Sequence, residues 1–376
     1  MCTAISFTSK EHYFGRNLDL DRSYGEEVAV MPRKFPLTFR KSTAYREGYA
    51  IIGMATVVTG NETESYKEYG GLPLFYDAVN EHGLAIAGLN FPHNAYYVPT
   101  LNCTSQFCSA QPFTDCVSEN APILPLTDYI PKNTATRPRS DLNNKYTVAP
   151  FEVIPWILRQ CKTVTEAVGL MKKTTVADIS FSRTLPVTPL HWMLSDKEQN
   201  ATVEPTREGL KLYVNPVGVL TNNPPFPYQL ENLKKYRDLK PYNPKIPNSC
   251  EDTYSSYSYG LGALGLPGDV SSKSRFVRAD FALKNTAKEK SELTSVGQFF
   301  HLLSSVEVAK GMCKTDDGGE HFTVYSSCMN TERGIYYYTT YGNRQISCID
   351  MRKTELSGKI ISRFELLKEE NVLRQN

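Results

Sequence analysis

Residues 73–90, PLFYDAVNEHGLAIAGLN, limit the possible folds more than any other stretch of the chain. Two apolar runs flank a Gly-containing turn at Asn80 to Gly83, the pattern of a β-hairpin. A hairpin commits its strands to antiparallel pairing, and this one places Asn90 at a strand end. Other segments carry the same signal. CTAISF at 2–7 and EEVAVM at 26–31 alternate apolar and polar residues, and YAIIGMATVV at 49–58 is a β-rich run. LHWMLSD, ATVEPT and GLKLYV read as three more strands, with GVLTNNPPF ending them in a turn; HFTVYSSCMN, GIYYYTTY and QISCIDM read as a closing meander. Between these blocks lie helical segments: PFEVIPWILRQC at 150–161, TVTEAVGLMKK with Thr163 and Glu166 at capping-box spacing, YQLENLKKYR, SRFVRADFAL and SVGQFFHLLSSV. There is no βαβαβ alternation. Strand blocks separated by helices predict an α+β fold of antiparallel sheets with helices packed against them.

Bulk properties exclude several classes of function. The 42 basic and 40 acidic residues are well mixed, so no basic field for nucleic acid is expected. No apolar run approaches the roughly 18 residues of a membrane span. Residues 2–20 contain Lys10, Glu11, Arg16 and Asp19 and lack the apolar core of a secretion signal, so a soluble, cytoplasmic protein with a retained N-terminus is the expectation. Nine cysteines, an odd number scattered along the chain, argue against a disulfide framework. Cys103, Cys108 and Cys116 match no zinc-ligand spacing, so no metal is expected. These three lie in the most unusual segment, about 99–146, which has six prolines and little periodicity. Structureless connections beyond about 15 residues are usually lids or disordered insertions, and either reading applies here.

The candidate chemistry narrows quickly. YGLGALGLPGD contains Gly260, Gly262 and Gly265 at GxGxxG spacing, but a Ser/Tyr-rich loop precedes it and Pro267-Gly268 blocks the helix that a dinucleotide loop needs. The six histidines include no HExxH, and no G-x-S-x-G is present. What remains is Cys2, directly behind the initiator Met. Trimming of Met1 would leave a thiol and a free α-amine on one residue. An α-amine has a pKa of about 7.7 to 8.0, so it can serve as the base for its own thiol. Such a site needs a cation to lower the thiol pKa, a carboxylate to fix the amine and donors for an oxyanion. Arg16 and Asp19, in FGRNLDL, lie on the strand expected to pair with the Cys2 strand. Read from the residues alone, a buried structural thiol is the better account of Cys2, and a surface charge couple a reasonable one of Arg16 and Asp19.

A set of motifs running through nearly the whole chain resembles the choloylglycine hydrolase family of N-terminal nucleophile hydrolases, which includes bile salt hydrolases and penicillin V acylases. They are MCT, FGRNLD at 14–19, NEHGLAIAGLNFP at 80–92, LHWMLSD, GVLTNNP at 218–224, GLPGDVSSKSRFVR at 265–278 and GIYYYTTY. Only the segment at 99–146 falls outside the resemblance. The resemblance implies one domain over 2–376 with that insertion, folded as a four-layer αββα sandwich. It also implies roles: Cys2 as nucleophile, Arg16 beside the thiolate, Asp19 holding the amine, Asn90 and Asn222 shaping the oxyanion hole, and Arg275 completing the polar network. Neither metal nor organic cofactor is implied. The family usually has Asn at the position of Asn90 in bile salt hydrolases and Tyr in penicillin V acylases, which favours hydrolysis of glycine- or taurine-conjugated bile acids. Penicillin V or another N-acyl amide as substrate, and an inactive ligand-binding homologue, are the alternatives. Leu20 and Phe91 adjoin site residues and are candidate contacts for a steroid; a homotetramer is the assembly the resemblance suggests.

Overall fold

The computed structural model describes residues 1–42, 47–99, 135–136, 144–245, 258–316 and 318–376. Seventeen strands run through them: β1 (Cys2–Thr8), β2 (His12–Leu20), β3 (Glu27–Met31), β4 (Ile51–Val58), β5 (Leu72–Asn80), β6 (Ala85–Asn90), β7 (Ala135–Thr136), β8 (Tyr146–Val148), β9 (Thr174–Val176), β10 (Leu190–Ser195), β11 (Asn200–Thr206), β12 (Gly209–Val214), β13 (Val219–Leu220), β14 (Phe322–Asn330), β15 (Ile335–Thr340), β16 (Asn343–Asp350) and β17 (Ser362–Glu365). The α-helices among the described residues are α1 (Val153–Leu158), α2 (Val164–Met171), α3 (Phe226–Leu233), α4 (Ser272–Asn285) and α5 (Glu292–Ser304).

Two antiparallel sheets dominate. One has the order β13-β1-β2-β14-β15-β16, the other β17-β3-β4-β5-β6-β10-β11-β12-β7. Strands β1 and β2 face β6 across the gap between them. Helices α1 and α2 cover the outer face of the nine-stranded sheet, and α4 and α5 cover that of the six-stranded sheet, with α3 against α4. The result is the four-layer αββα sandwich.

This layering explains why the central strands read as continuous apolar runs rather than alternating ones: β2, β3, β5 and β6 are buried on both faces, whereas β16 and β17 at the sheet edges are largely exposed. Val28 and Val30 of β3, Ile52 and Met54 of β4, and Ala85, Ala87 and Leu89 of β6 join the core shared with β1 and β2. Ala29, Met31, Ile51, Ala55 and Ile86 turn the other way and pack with Trp156 and Ile157 of α1.

The β5–β6 hairpin forms as its sequence predicts, with Gly83 at φ +89° in its turn. Asn80 holds the turn from inside. Its Oδ1 accepts the His82 and Leu84 N–H groups, while its Nδ2 donates to the Leu158 and Cys161 carbonyls at 2.8 and 2.7 Å. The Leu158 carbonyl ends α1, where no intrahelical donor is available, and the Cys161 carbonyl lies in the turn just beyond it. The Thr163 hydroxyl caps α2 by accepting the Glu166 N–H at 3.2 Å, but the Glu166 carboxylate reaches back to Lys162 N–H, one residue beyond the usual capping box.

Some elements differ from expectation. The stretch at 150–161 begins as a 3-10 turn, Pro150–Glu152, before the short α1. GVLTNNPPF, expected as a turn, contains β13, which pairs with β1. Strand β17 was not anticipated; it adds to β3 at the sheet edge, where Arg363 pairs with Glu27 at 2.7 Å. Two- and four-residue strands are too short to show a period, so tertiary pairing alone defines them. Among the described residues no helix is long and apolar enough to cross a membrane. The insertion expected at 99–146, with Cys103, Cys108 and Cys116, lies almost wholly outside the described residues.

Candidate active site

Strand register assembles the site. In the β1–β2 pair Cys2 opposes Leu18 and Ala4 opposes Arg16, so directly opposed side chains put Cys2 and Arg16 on one face of the sheet. That face looks across to the nine-stranded sheet. One residue further, Met1 and Asp19 exchange backbone hydrogen bonds: the terminal ammonium donates to the Asp19 carbonyl and Asp19 N–H to the Met1 carbonyl. Asp19 therefore sits opposite the residue that precedes Cys2. On the other side of β1, β13 pairs Leu220 with Ala4, and continuing that register brings Asn222 beside Cys2. Asn90 arrives from the facing sheet, at the end of β6.

Hydrogen bonds close the group. Asn222 Oδ1 accepts both the Cys2 N–H at 2.8 Å and Arg275 Nη2 at 2.7 Å, and Asn222 Nδ2 donates to the Asn90 carbonyl at 2.7 Å. Arg275 also donates to the Cys2 carbonyl and the Thr3 hydroxyl, and lies 4.0 Å from Asp19 Oδ2. It sits in the first turn of α4, where a cation opposes the helix dipole. The Val270 carbonyl and the three site partners hold it there. Asp19 Oδ1 accepts the Thr323 hydroxyl at 2.6 Å, and Asp19 Oδ2 has no hydrogen-bond donor. Arg16 spends Nη1 on the Gly88 and Tyr76 carbonyls; its Nη2 has no acceptor.

Cys2, Arg16, Asp19 and Arg275 are all essentially inaccessible to solvent, so their charges act at low dielectric. Burial pushes the Cys2 thiol up. The Arg16 guanidinium, the N-terminal ammonium and the Asn90 backbone N–H outweigh that push against some opposition from Asp19, and the thiol is held below its ordinary value. Cys161 and Cys328 show the contrast: burial raises Cys161 to about 12, and Cys328 well above the usual range. A lowered thiol among raised ones makes Cys2 the candidate nucleophile of the described cysteines. Next to it the arrangement supplies a fixed cation, a carboxylate oxygen without a donor and an amide N–H aimed at sulfur. These are the parts required for thiolate attack on a carbonyl carbon.

The structure thus brings together Cys2, Arg16, Asp19, Asn90, Asn222 and Arg275 from four separate segments. Leu20 is half-buried at the end of β2. Phe91 does not offer the open face expected of a substrate contact: it is fully buried and stacked on His191, with ring centroids 4.2 Å apart and planes at 5°. The glycines at 260–265 form a 3-10 turn, Leu261–Ala263, ahead of α4 rather than a loop after a strand. Gly262 is required there, since a Cβ would lie 1.9 Å from the Tyr242 carbonyl oxygen.

Several polar residues of the site region escaped the sequence reading. Thr3 and Thr323 orient Arg275 and Asp19. His191 bridges the Glu204 carboxylate at 3.1 Å and the Thr221 carbonyl at 2.8 Å, just before Asn222. Asp77 lies fully buried between the sheets. A usable signal existed for the charged ones: a lone titratable residue inside an apolar strand, as in LFYDAVN, LHWML and ATVEPT, is costly unless partnered.

The chain matches the family model described as linear amide C–N hydrolases, choloylglycine hydrolase family, over residues 2–123 and 103–364. It is 42% identical over 369 residues to a protein named bile salt hydrolase/transferase from Lactiplantibacillus plantarum, covering 98% of both chains. A crystal structure of a mutant conjugated bile acid hydrolase from Clostridium perfringens is similar over 100% of both chains, with a TM-score of 0.79 and 30% identity. Penicillin V acylase from Agrobacterium tumefaciens shares the fold, with a TM-score of 0.66 and 18% identity over 97% of this chain and 91% of its own.

Proposed function

The chain belongs to the choloylglycine hydrolase family of linear amide C–N hydrolases, and from that premise we propose that it cleaves the amide bond of glycine- or taurine-conjugated bile acids through a thioester on Cys2. The observation that carries this reading is the thiol of Cys2, held below its ordinary pKa by Arg16 at the end of a strand whose preceding residue pairs with Asp19. The names of the most similar relatives supply the substrate class.

Loss of Met1 converts the Cys2 nitrogen into an α-amine and vacates the Asp19 carbonyl that the Met1 ammonium occupies. Asp19 Oδ2 and Asn222 Oδ1 are then positioned to hold that amine. The amine takes the thiol proton, and the thiolate attacks the amide carbon. The oxyanion takes the Asn90 N–H and the second hydrogen of Asn222 Nδ2, one having been given to the Asn90 carbonyl. The amine delivers a proton to the departing glycine or taurine nitrogen as the C–N bond breaks, which leaves the acyl group on sulfur. Water, deprotonated by the same amine, attacks the thioester; the C–S bond breaks and the bile acid leaves. The proposal includes one catalytic domain over the whole chain, a homotetrameric assembly and a cytoplasmic location; light scattering and cell fractionation test the last two.

Rates on glycocholate, taurocholate and penicillin V, measured on protein whose Met1 loss is checked by intact mass, test the substrate class. Faster turnover of either bile salt than of penicillin V is expected. A preference for penicillin V overturns the substrate, and full turnover by Cys2→Ser overturns the mechanism.

A further inference from the structure

Arg16 carries a full positive charge into the space between the sheets, and the reaction proposed above removes the strongest of its anionic neighbours each time Cys2 becomes a thioester. A buried charge left without a partner is strongly destabilising. Something else must therefore keep the guanidinium in place, and two irregularities in facing sheets show what it is. In the β4–β5 pair the register shifts between Met54, which opposes Asp77, and Ala55, which opposes Phe75. Tyr76 is the extra residue of this bulge, so Tyr76 and Asp77 break the strand alternation and both point between the sheets. The bulge also leaves the Tyr76 carbonyl available to Arg16 Nη1 at 3.4 Å. In the β2–β14 pair the register shifts between Thr323 and Tyr325. Thr323 consequently faces Asp19, while Tyr325 turns into the gap and donates to Asp77 Oδ2 at 2.5 Å.

The Asp77 carboxylate collects two further hydroxyls, Tyr336 at 2.6 Å and Ser327 at 3.3 Å. Ser327 Oγ in turn accepts the Arg16 backbone N–H at 3.2 Å. Three O–H donors converging on one carboxyl group suit an anion, which has only acceptor sites. We propose that Asp77 is a positioning residue: its buried carboxylate is the permanent counter-ion of Arg16, holding the guanidinium beside Cys2 while the sulfur alternates between thiolate and thioester. Burial raises the Asp77 pKa, opposed first by Arg16 and then by the Tyr325, Tyr336 and Ser327 hydroxyls. Arg16 is raised despite its burial, by Cys2, Tyr325, Asp77 and Asp19. The other charged or titratable groups around the cluster are the N-terminal amine, Tyr76 and Arg275, with Tyr76 raised to about 12 by burial.

This inference rests on Cys2 being the nucleophile, and its test separates the two. The rate of Cys2 alkylation by iodoacetamide, located by peptide mass, is followed against pH in the parent, Asp77→Asn and Tyr336→Phe proteins, alongside kcat and KM. With Asp77 neutralised, the thiolate is the main partner left to Arg16, so the alkylation midpoint of Asp77→Asn should fall by roughly half a pH unit or more. Its kcat should drop about tenfold with KM changed less than about twofold, because the acylated state loses its compensation. Tyr336→Phe removes one of the donors that keep Asp77 ionised, so it should shift the midpoint in the same direction by less, and it decides the matter should Asp77→Asn not fold. A folded variant whose midpoint is unchanged or higher overturns the role of Asp77. A parent protein that does not alkylate at Cys2 overturns the nucleophile instead.

Discussion

His12 makes the acid stability of this fold a quantitative test of its inter-sheet contacts. Its Nε2 is hydrogen-bonded to Ser6 Oγ at 3.1 Å within the six-stranded sheet and to Ser195 Oγ at 3.0 Å across the gap, while Nδ1 meets Thr331 Oγ1 at 2.8 Å. Ser195 passes the link on to Asn200 at 2.6 Å. Burial lowers the His12 pKa from 6.5 to about 4, with only Asp196 opposing it. The folded protein therefore resists a proton that the unfolded chain takes up readily. Below about pH 4 both states bind it and above about 6.5 neither does, so stability falls as pH drops through that window. At about 1.4 kcal/mol per pH unit, the full loss is about 3 kcal/mol. His12→Gln cannot take the proton. It should cost about 1–2 kcal/mol at pH 7.5 through weaker hydrogen bonding, yet lose about 3 kcal/mol less than the parent on acidification. Urea unfolding at steps from pH 7.5 to 4 measures both slopes, and other acid-labile groups contribute equally to the two proteins. Parallel curves would refute the assignment of this acid sensitivity to His12.

Asn222→Ala deprives the Cys2 nitrogen, Arg275 Nη2 and the Asn90 carbonyl of partners together. It should lower kcat by about 100- to 1000-fold, and steady-state rates close to the parent's would contradict its place in the site. Protein isolated with Met1 still attached should fold but not turn over, since its ammonium sits on the Asp19 carbonyl one residue from the thiol; activity that survives in a mass-verified Met1 form would exclude the amine as base. Asp269, held at about 2 by the Ser271 and Ser274 groups at the start of α4, stabilises the turn that carries Arg275. Its contribution is present above the ordinary carboxylate range and lost as pH falls toward 2, so the lower Tm expected for Asp269→Ala near pH 7 should converge on the parent's between about pH 4 and 2. A Tm gap that persists at pH 2 would point to a cause other than this charge.

The sequence by itself determined the strand blocks, their antiparallel pairing and the helices that separate them, because apolar runs, a glycine turn and capping residues act over a few neighbouring positions. Cys2, Arg16 and Asp19 were legible for the same reason: one tight β1–β2 connection fixes their register. Asn90, Asn222 and Arg275 were found only as motifs, through family resemblance. What brings them together is the approach of two sheets, a two-residue strand with no period of its own, and a helix start held against its dipole. Those are long-range contacts that local pattern cannot encode. The same holds for Asp77, Tyr325 and Tyr336: each is visible as a residue, but two bulges decide which way the first two point. Phe91 failed as a groove residue because adjacency in sequence to Asn90 says nothing about which layer its ring enters, and His191 had already claimed its face. Local pairing gives the lone cysteine its cation and carboxylate, but tertiary packing alone settled how it acquires its amide donors and Arg275, since Asn90, Asn222 and Arg275 come from segments that only the closed sandwich brings within reach.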